Sequence, residues 1–273
     1  CIRDRLITND IKKSKLVTAA TTIFIAITAM LVSLAAILVI NLAGSIDGMM
    51  ERAKTPHFMQ MHSGQIDQRK MEDFAKSQPN LADWQVLDFL NVDNTELFIA
   101  GKPMTDSVQD NGFSVQSKKF DFLVDTKDQI IQPKVGEVYL PIIYEREGIA
   151  KKGDLLEVKG HKLIVAGFLR DSQMNASLSS SKRFIVNQKD YQMLEKFGNV
   201  EYLIEYRLKD LDKISDFEKA YIKAELPANG PALTHTLFRM MNALSDGIMI
   251  AIILLVSLLM LAVAFLCIRF TPV

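Results

Sequence analysis

The side chains able to carry chemistry are few, and their spacing does not assemble a reaction centre. The chain has four histidines, His57, His62, His161 and His235. His57 and His62 stand five apart on a predicted strand, where alternation places them on opposite faces and prevents them from sharing a metal ion. His161 falls in a predicted turn and His235 at the start of a predicted helix. Carboxylates are plentiful but interleaved with lysines, as on a solvated surface, and nothing selects a pair for acid–base work. A phosphate-cradling G-x-x-x-x-G-K-[ST] loop does not occur, and neither does a G-x-S-x-G elbow or an H-E-x-x-H pair. The expectation is therefore no catalytic, cofactor-binding or metal-binding residue, no cofactor, and a chain that is not itself an enzyme. The two cysteines are Cys1 and Cys267, so the 200-odd residues between the ends fold without disulfides.

What stands out instead is the layout of apolar residues. Leu16 to Ile46 contains no charged side chain, and Gly247 to Ile268 is also uncharged and ends at Arg269. A helix of roughly 20 apolar residues crosses a hydrocarbon core of about 30 Å. Both runs are read as membrane spans, and the first is too long for the core of a cleaved signal peptide. Arg3, Arg5, Lys12, Lys13 and Lys15 precede the first span, opposed only by Asp4 and Asp10. Lys and Arg collect on the cytoplasmic side, so both termini are expected inside and the central segment outside a cell membrane. That segment is slightly acidic, which argues against nucleic acid as a partner. No ionisable group lies inside either run, so these helices alone do not suggest an ion or proton path. A chain that starts at Cys1 and stops four residues after Arg269 is expected to be part of a longer one.

The periodicity divides the chain further. Residues 1–15 read as a cytoplasmic amphipathic segment and 16–55 as the first span continued into a stalk. Residues 56–230 read as an extracytoplasmic domain, 231–246 as a second stalk helix, 247–268 as the second span and 269–273 as cytoplasmic. Thr18, Thr22, Ala26, Ala29, Ser33, Ala36 and Ala43 form a small-residue stripe on which another helix is expected to pack. Ile46, Met49, Met50 and Ala53 form an apolar stripe beyond the span, ended by Thr55-Pro56. Leu237, Met240, Met241, Leu244 and Ile248 form a second stripe, expected to bury itself against the first or, otherwise, on the domain. A charge on the first stripe, as in Met49→Asp, is expected to disable the stalk and leave the domain folded. Within the domain, Gln68–Ser77, Tyr191–Phe197 and Ser215–Glu225 read as helices. Strands are expected at 57–62, 84–92, 96–100 and 202–208 and repeatedly across 135–187, with a type II′ hairpin at Gly160-His161. Asn175–Ser181 reads as an exposed loop. The fold class is α+β: two transmembrane helices extended into a stalk, carrying a mixed α/β, two-lobed outer domain.

Three stretches carry a resemblance. Asn9-Asp10-Ile11-Lys12-Lys13-Ser14-Lys15 leads into the first span, and Cys267-Ile268-Arg269-Phe270-Thr271 closes the second. Between them stand Tyr139-Leu140-Pro141, then Lys152-Gly153-Asp154-Leu155-Leu156-Glu157-Val158, then Val165-Ala166-Gly167-Phe168-Leu169-Arg170-Asp171. The chain resembles the MacB/FtsX-like, or type VII mechanotransmission, family of ABC transporter permeases. The resemblance implies further spans, an ABC ATPase subunit that hydrolyses ATP, and a second permease copy or homologous half. It also implies contact with membrane lipid and with an extracytoplasmic adaptor or peptide, and an inserted outer lobe near residues 95–185. The output would be export or extraction of a peptide, antibiotic or lipid-like substrate, or regulation of an envelope partner. Two other readings stay open at this point: a two-span sensor with an outer ligand-binding domain, and a membrane-anchored binding or adhesion module.

Overall fold

The computed structural model describes residues 2–176 and 179–269. They fall into two compact units, one of residues 1–45 with 243–273 and the other of residues 46–242. The first unit contains most of two long helices, α1 (Ile2–Arg52) and α6 (His235–Arg269). Helix α1 runs unbroken for 51 residues. No break separates residues 2–15 from the apolar run, because no proline interrupts the chain before Pro56. From Ala19 to Arg52 this helix is long and apolar enough to cross a membrane; in α6 the apolar stretch among the described residues is Ile250–Val263.

The packed face of the first unit differs from the predicted small-residue stripe. Thr21, Thr28 and Ala35 are buried, with Phe24, Leu31, Leu38 and Leu42 half-buried between and beyond them. Their alternating steps of three and four form a heptad seam, and Ile250, Ile253, Ser257 and Met260 repeat the pattern on α6. Ala26, Ala29, Ser33, Ala36 and Ala43 are exposed instead, and the Thr18 side chain lies outside the described residues. The buried positions Thr21, Thr28 and Ala35 are themselves small, so the seam keeps the close approach that small residues allow, at a different register from the expected stripe. Thr28 and Ser257 hide their hydroxyls by donating to the carbonyls four residues back, Phe24 and Ile253, at 2.7 Å each.

In the second unit, β1 (Phe58–Ser63), α2 (Gln68–Ser77) and β2 (Leu81–Val92) follow α1. Strand β11 (Asn199–Leu208), α5 (Ile214–Lys223) and β12 (Ala232–Thr234) lead back to α6. Between these halves the chain makes β3 (Leu97–Ile99), β4 (Lys102–Pro103), β5 (Asp110–Val115), β6 (Val124–Asp125), β7 (Glu137–Pro141), α3 (Ile142–Arg146), β8 (Leu155–Val158), β9 (His161–Arg170), β10 (Ser181–Val186) and α4 (Gln188–Leu194). All strands share one mixed sheet of order β12-β1-β11-β2-β5-β10-β7-β9-β8-β3-β4, with β6 on β9.

Two of the cores among the described residues lie on this sheet. Helix α2 is started by Asp67, whose side chain accepts from Lys70 N at 3.1 Å, and buries Met71, Phe74 and Ala75 at helical spacing. With α5 it covers β1 and β11 through Phe58, Tyr206, Phe217 and Tyr221, whose rings meet tilted or edge-on at 5.0–6.1 Å. The second core gathers Leu90 of β2 with Phe113, Leu140, Val165 and Phe184 from the inserted segments. The hairpin between β8 and β9 turns at Lys159-Gly160, one residue earlier than expected, because Val158 pairs with His161. Both turn residues have positive φ, 45° and 86°, which makes the turn type I′ and not II′.

Candidate functional site: the junction of the long helices with the sheet

The last turn of α1 belongs to the sheet-bearing unit. Ile46, Met49, Met50 and Ala53 are buried there, as their spacing predicts. Lys54, at φ 48°, ends the helix in a Schellman arrangement: Thr55 N donates to Met50 O and Lys54 N to Glu51 O, both at 3.0 Å. The carbonyls that follow find partners in the sheet unit. Phe122 N donates to Ala53 O at 2.7 Å and Asp121 N to Lys54 O at 3.1 Å. Arg207 Nη1 donates to Thr55 O at 2.8 Å. The end of α1 is thus clamped by backbone from a segment 70 residues away.

Helix α6 is tied to the same unit by a different set of residues from those expected. Phe238 and Asn242, one helical turn apart, are buried, whereas Met240 and Leu244 of the predicted stripe are exposed and Leu237 and Met241 are half-buried. The amide of Asn242 makes the difference, since its Nδ2 donates to Ser172 O at 3.0 Å and to Phe238 O at 2.9 Å. An apolar count passes over such a residue. Upstream, β12 pairs with β1, and His235 N donates to His57 O at 2.8 Å. The His57 and His235 rings meet edge-on at 5.6 Å. Arg239 and Asp47 join the two helices directly in a bidentate pair, 2.6 and 3.0 Å, exposed to solvent.

Behind both attachments lies a fully buried charge cluster. Arg183 on β10 grips Asp121 through Nη1 and Nη2 at 2.5 and 3.2 Å, and Asp171 through Nε and Nη2 at 2.6 and 2.8 Å. Asp121 is the residue whose backbone holds α1, and Asp171 precedes the Ser172 carbonyl that holds α6. The Asp171 carboxylate also accepts from Gln173 N and Met174 N. One guanidinium therefore bridges the two helix attachments. Burial alone would lower the Arg183 pKa, but the two carboxylates beside it hold it well above its usual value. Burial pushes Asp171 up, and Arg183 outweighs this to bring it below the ordinary carboxylate range.

Two further buried ionisable groups lie near it, Glu205 in the cluster and Lys182 on the other face of β10. Glu205 on β11 accepts from Gln173 Nε2 at 2.6 Å and from Gln85 Nε2 at 2.8 Å. Burial, reinforced by the Asp121 charge, pushes its pKa well above the ordinary carboxylate range. Lys182 caps the loop after β9 by donating to Met174 O at 3.0 Å and Ala176 O at 2.6 Å. This corrects the reading of Asn175–Ser181 as an exposed loop: Ala176, Ser179 and Ser181 are buried, and 177–178 lie outside the described residues.

Little in the local pattern signals these buried groups. Lys182 and Arg183 are adjacent on one strand and hence on opposite faces, and both are buried because the sheet is covered on both sides there. The local signal was a Lys-Arg pair directly preceding the apolar triplet Phe184-Ile185-Val186. Of the histidines, His57 and His235 come together, while His62 accompanies neither; no cluster of metal-binding groups occurs among the described residues. The hydrogen bonds of this site hold the last turn of α1 and the first turns of α6 on the sheet-bearing unit.

No family model matches the chain, and no curated protein matches it significantly. Among solved structures it is similar to the periplasmic region of MacB from Actinobacillus actinomycetemcomitans. That match has 9% identity over 70% of this chain and 94% of the other, with a TM-score of 0.35. It is also similar to the extracellular domain of the noncanonical ABC-type transporter YknZ from Gram-positive bacteria, with 10% identity over 65% of this chain and 98% of the other and a TM-score of 0.30.

Proposed function

We propose that this chain is a permease subunit of an ABC transporter of the MacB/FtsX-like mechanotransmission class. In this reading α1 and α6 both span the membrane, the termini face the cytoplasm and residues 46–242 lie outside. A partner ATPase supplies the motion. The observation that carries the proposal is mechanical continuity: the helix that contains the first apolar run enters the sheet-bearing unit without a break and is clamped there by Ala53 and Lys54. A continuous helix transmits axial displacement, whereas a flexible linker would absorb it. The exposed apolar side chains of α1, Met30 and Ile40 among them, suit a lipid environment. The sequence resemblance supports the same assignment independently of these features. Export or extraction of a peptide, antibiotic or lipid-like molecule, or regulation of an envelope partner, is the output this class implies.

The test is purification of the full-length protein from its native membrane. An ABC ATPase is expected to accompany it and to hydrolyse ATP faster in its presence. Arg239→Ala removes the exposed link between the helices at a cost of at most about 1 kcal/mol, so the fold survives. It is expected to reduce that stimulation. Purification with a kinase and no ATPase would overturn the assignment.

A further inference from the structure

The sheet is not closed between β2 and β5. The two strands pair only at Leu90↔Phe113, Asn91↔Gly112 and Val92↔Asn111, while β2 stays paired to β11 from Asp83 to Asn91. Before Leu90 they separate around a cleft of about 300 Å³. Side chains close its two ends. Ser114 Oγ donates to the Asp88 carbonyl at 2.8 Å at one end. Ser117 Oγ donates to Gln85 Oε1 at 3.0 Å, and Lys119 Nζ to the Trp84 carbonyl at 3.1 Å, at the other.

Strand alternation fixes what faces this cleft. The carbonyls of Trp84 and Asp88 already point into it, so the N–H and C=O of Val86 do as well. Phe113 bonds toward β2, so the backbone of Val115, two residues on, faces the cleft from the opposite wall. Both residues lie beyond the last rung of the ladder. A second feature is independent of the backbone. Tyr191 on α4 lines the cleft, is only 3% exposed, and has a buried hydroxyl without a hydrogen-bond partner. A buried polar atom left in this state gains when a partner arrives.

We propose that this cleft binds a short extended peptide, which adds as a strand between β2 and β5, antiparallel to β2, with its carboxylate end at Lys118. The orientation follows from charge. Lys118 and Lys119 line the end of the cleft near Gln85, and Asp88 lines the other. Lys119 is held by Asp83, whereas Lys118 is exposed and has no ion pair among the described residues. A strand antiparallel to β2 brings its C-terminal end to the lysines and its donors to Asp88. The distance from Gln85 to Asp88 accommodates about three residues, roughly 10 Å. The backbone of Val86 and Val115 supplies affinity without regard to sequence, and the hydroxyl of Tyr191 and the Lys118 charge supply direction.

The experiment uses the full chain in detergent micelles and a fluorescent tripeptide, Val-Thr-Val, labelled at its amino end and bearing a free carboxylate. Fluorescence polarisation is expected to show saturable binding. Tyr191→Phe, which removes an unpartnered hydroxyl and so folds normally, is expected to weaken it about fivefold. Lys118→Glu, or amidation of the peptide, is expected to weaken it by about tenfold. Methylation of the Thr amide nitrogen is expected to abolish it. Equal affinity for the N-methylated peptide, or no saturation at about 1 mM, would overturn the proposal. The assay needs no ATPase, so its failure leaves the permease assignment standing.

Discussion

Arg183 owes its burial to two aspartates, and neither aspartate would tolerate burial without it. Removing one member of such a set leaves an uncompensated charge in a fully buried site, which costs about 3–5 kcal/mol. Arg183→Met is therefore expected to lower the stability of the sheet unit by that amount in chemical denaturation. Adding Asp121→Asn is expected to recover part of it, because one orphaned charge disappears. His57 carries a different consequence. Burial, then the charges of Arg207 and His235, pull its pKa from the usual 6.5 to about 4. A base with a depressed folded-state pKa binds its proton more readily when unfolded. Its contribution is complete above pH 6.5, declines as the pH falls from 6.5 to about 4, and is constant below that. The whole shift corresponds to about 3 kcal/mol, and solvent screening around a partly reachable ring reduces it to about 1–2 kcal/mol. Unfolding midpoints measured across this range are expected to vary less with pH in His57→Asn.

At the level of elements, local signals located most segments and misplaced faces. The helix over Gln68–Ser77 occurs with the predicted ends, because an N-cap, an apolar i, i+3, i+4 set and Pro79 all agree. The β8–β9 hairpin was recognisable from its glycine, but its register was not, since the pairing of Val158 with His161 is set by the neighbouring strands. Lys159 sits in that turn at φ 45°, a conformation asparagine adopts at lower cost. Lys159→Asn is expected to raise stability by about 0.5–1 kcal/mol, seen as a rise of a few degrees in the melting temperature. The stripe on α6 shows the opposite failure. Leu237, Met240, Met241 and Leu244 have the right period, yet the hydrogen bond from Asn242 to Ser172 turns the helix so that Phe238 is buried and Met240 is not. On α1 the stripe was correct, and Met49 is 4% exposed against the sheet unit. Met49→Asp would thus place a charge in a core, and the expectation that the domain stays folded in that variant is withdrawn.

For the molecule as a whole, the boundary of the outer unit matters more than its interior. An excision at 57–230, between Pro56 and Pro231, would discard β12, the buried Phe238 and the last turn of α1. It would leave the Phe58 edge of β1 unpaired with Thr234 and uncap Phe122 and Asp121. Residues 46–242 retain all of these contacts within one compact unit. The longer fragment is expected to be monomeric with a single cooperative unfolding transition, indifferent to reductant. The shorter one is expected to unfold at a clearly lower denaturant concentration. Equal midpoints would show that the helix ends contribute nothing to the unit.

By itself the sequence determined where the long helices run, that the segment between them is a mixed α/β structure without disulfides, and where several helices and strands begin and end. These features follow from hydropathy, periodicity and capping, which are local and survive in a one-dimensional reading. Only the tertiary structure decided which faces pack, how the strands order, and that Asp121, Asp171, Arg183 and Glu205 meet in one buried cluster. Those residues are separated by up to 84 positions in the chain, and a charged side chain looks the same in sequence whether water or another charge solvates it. The fold makes that choice, because only the partner's position sets whether burial of a charge is compensated.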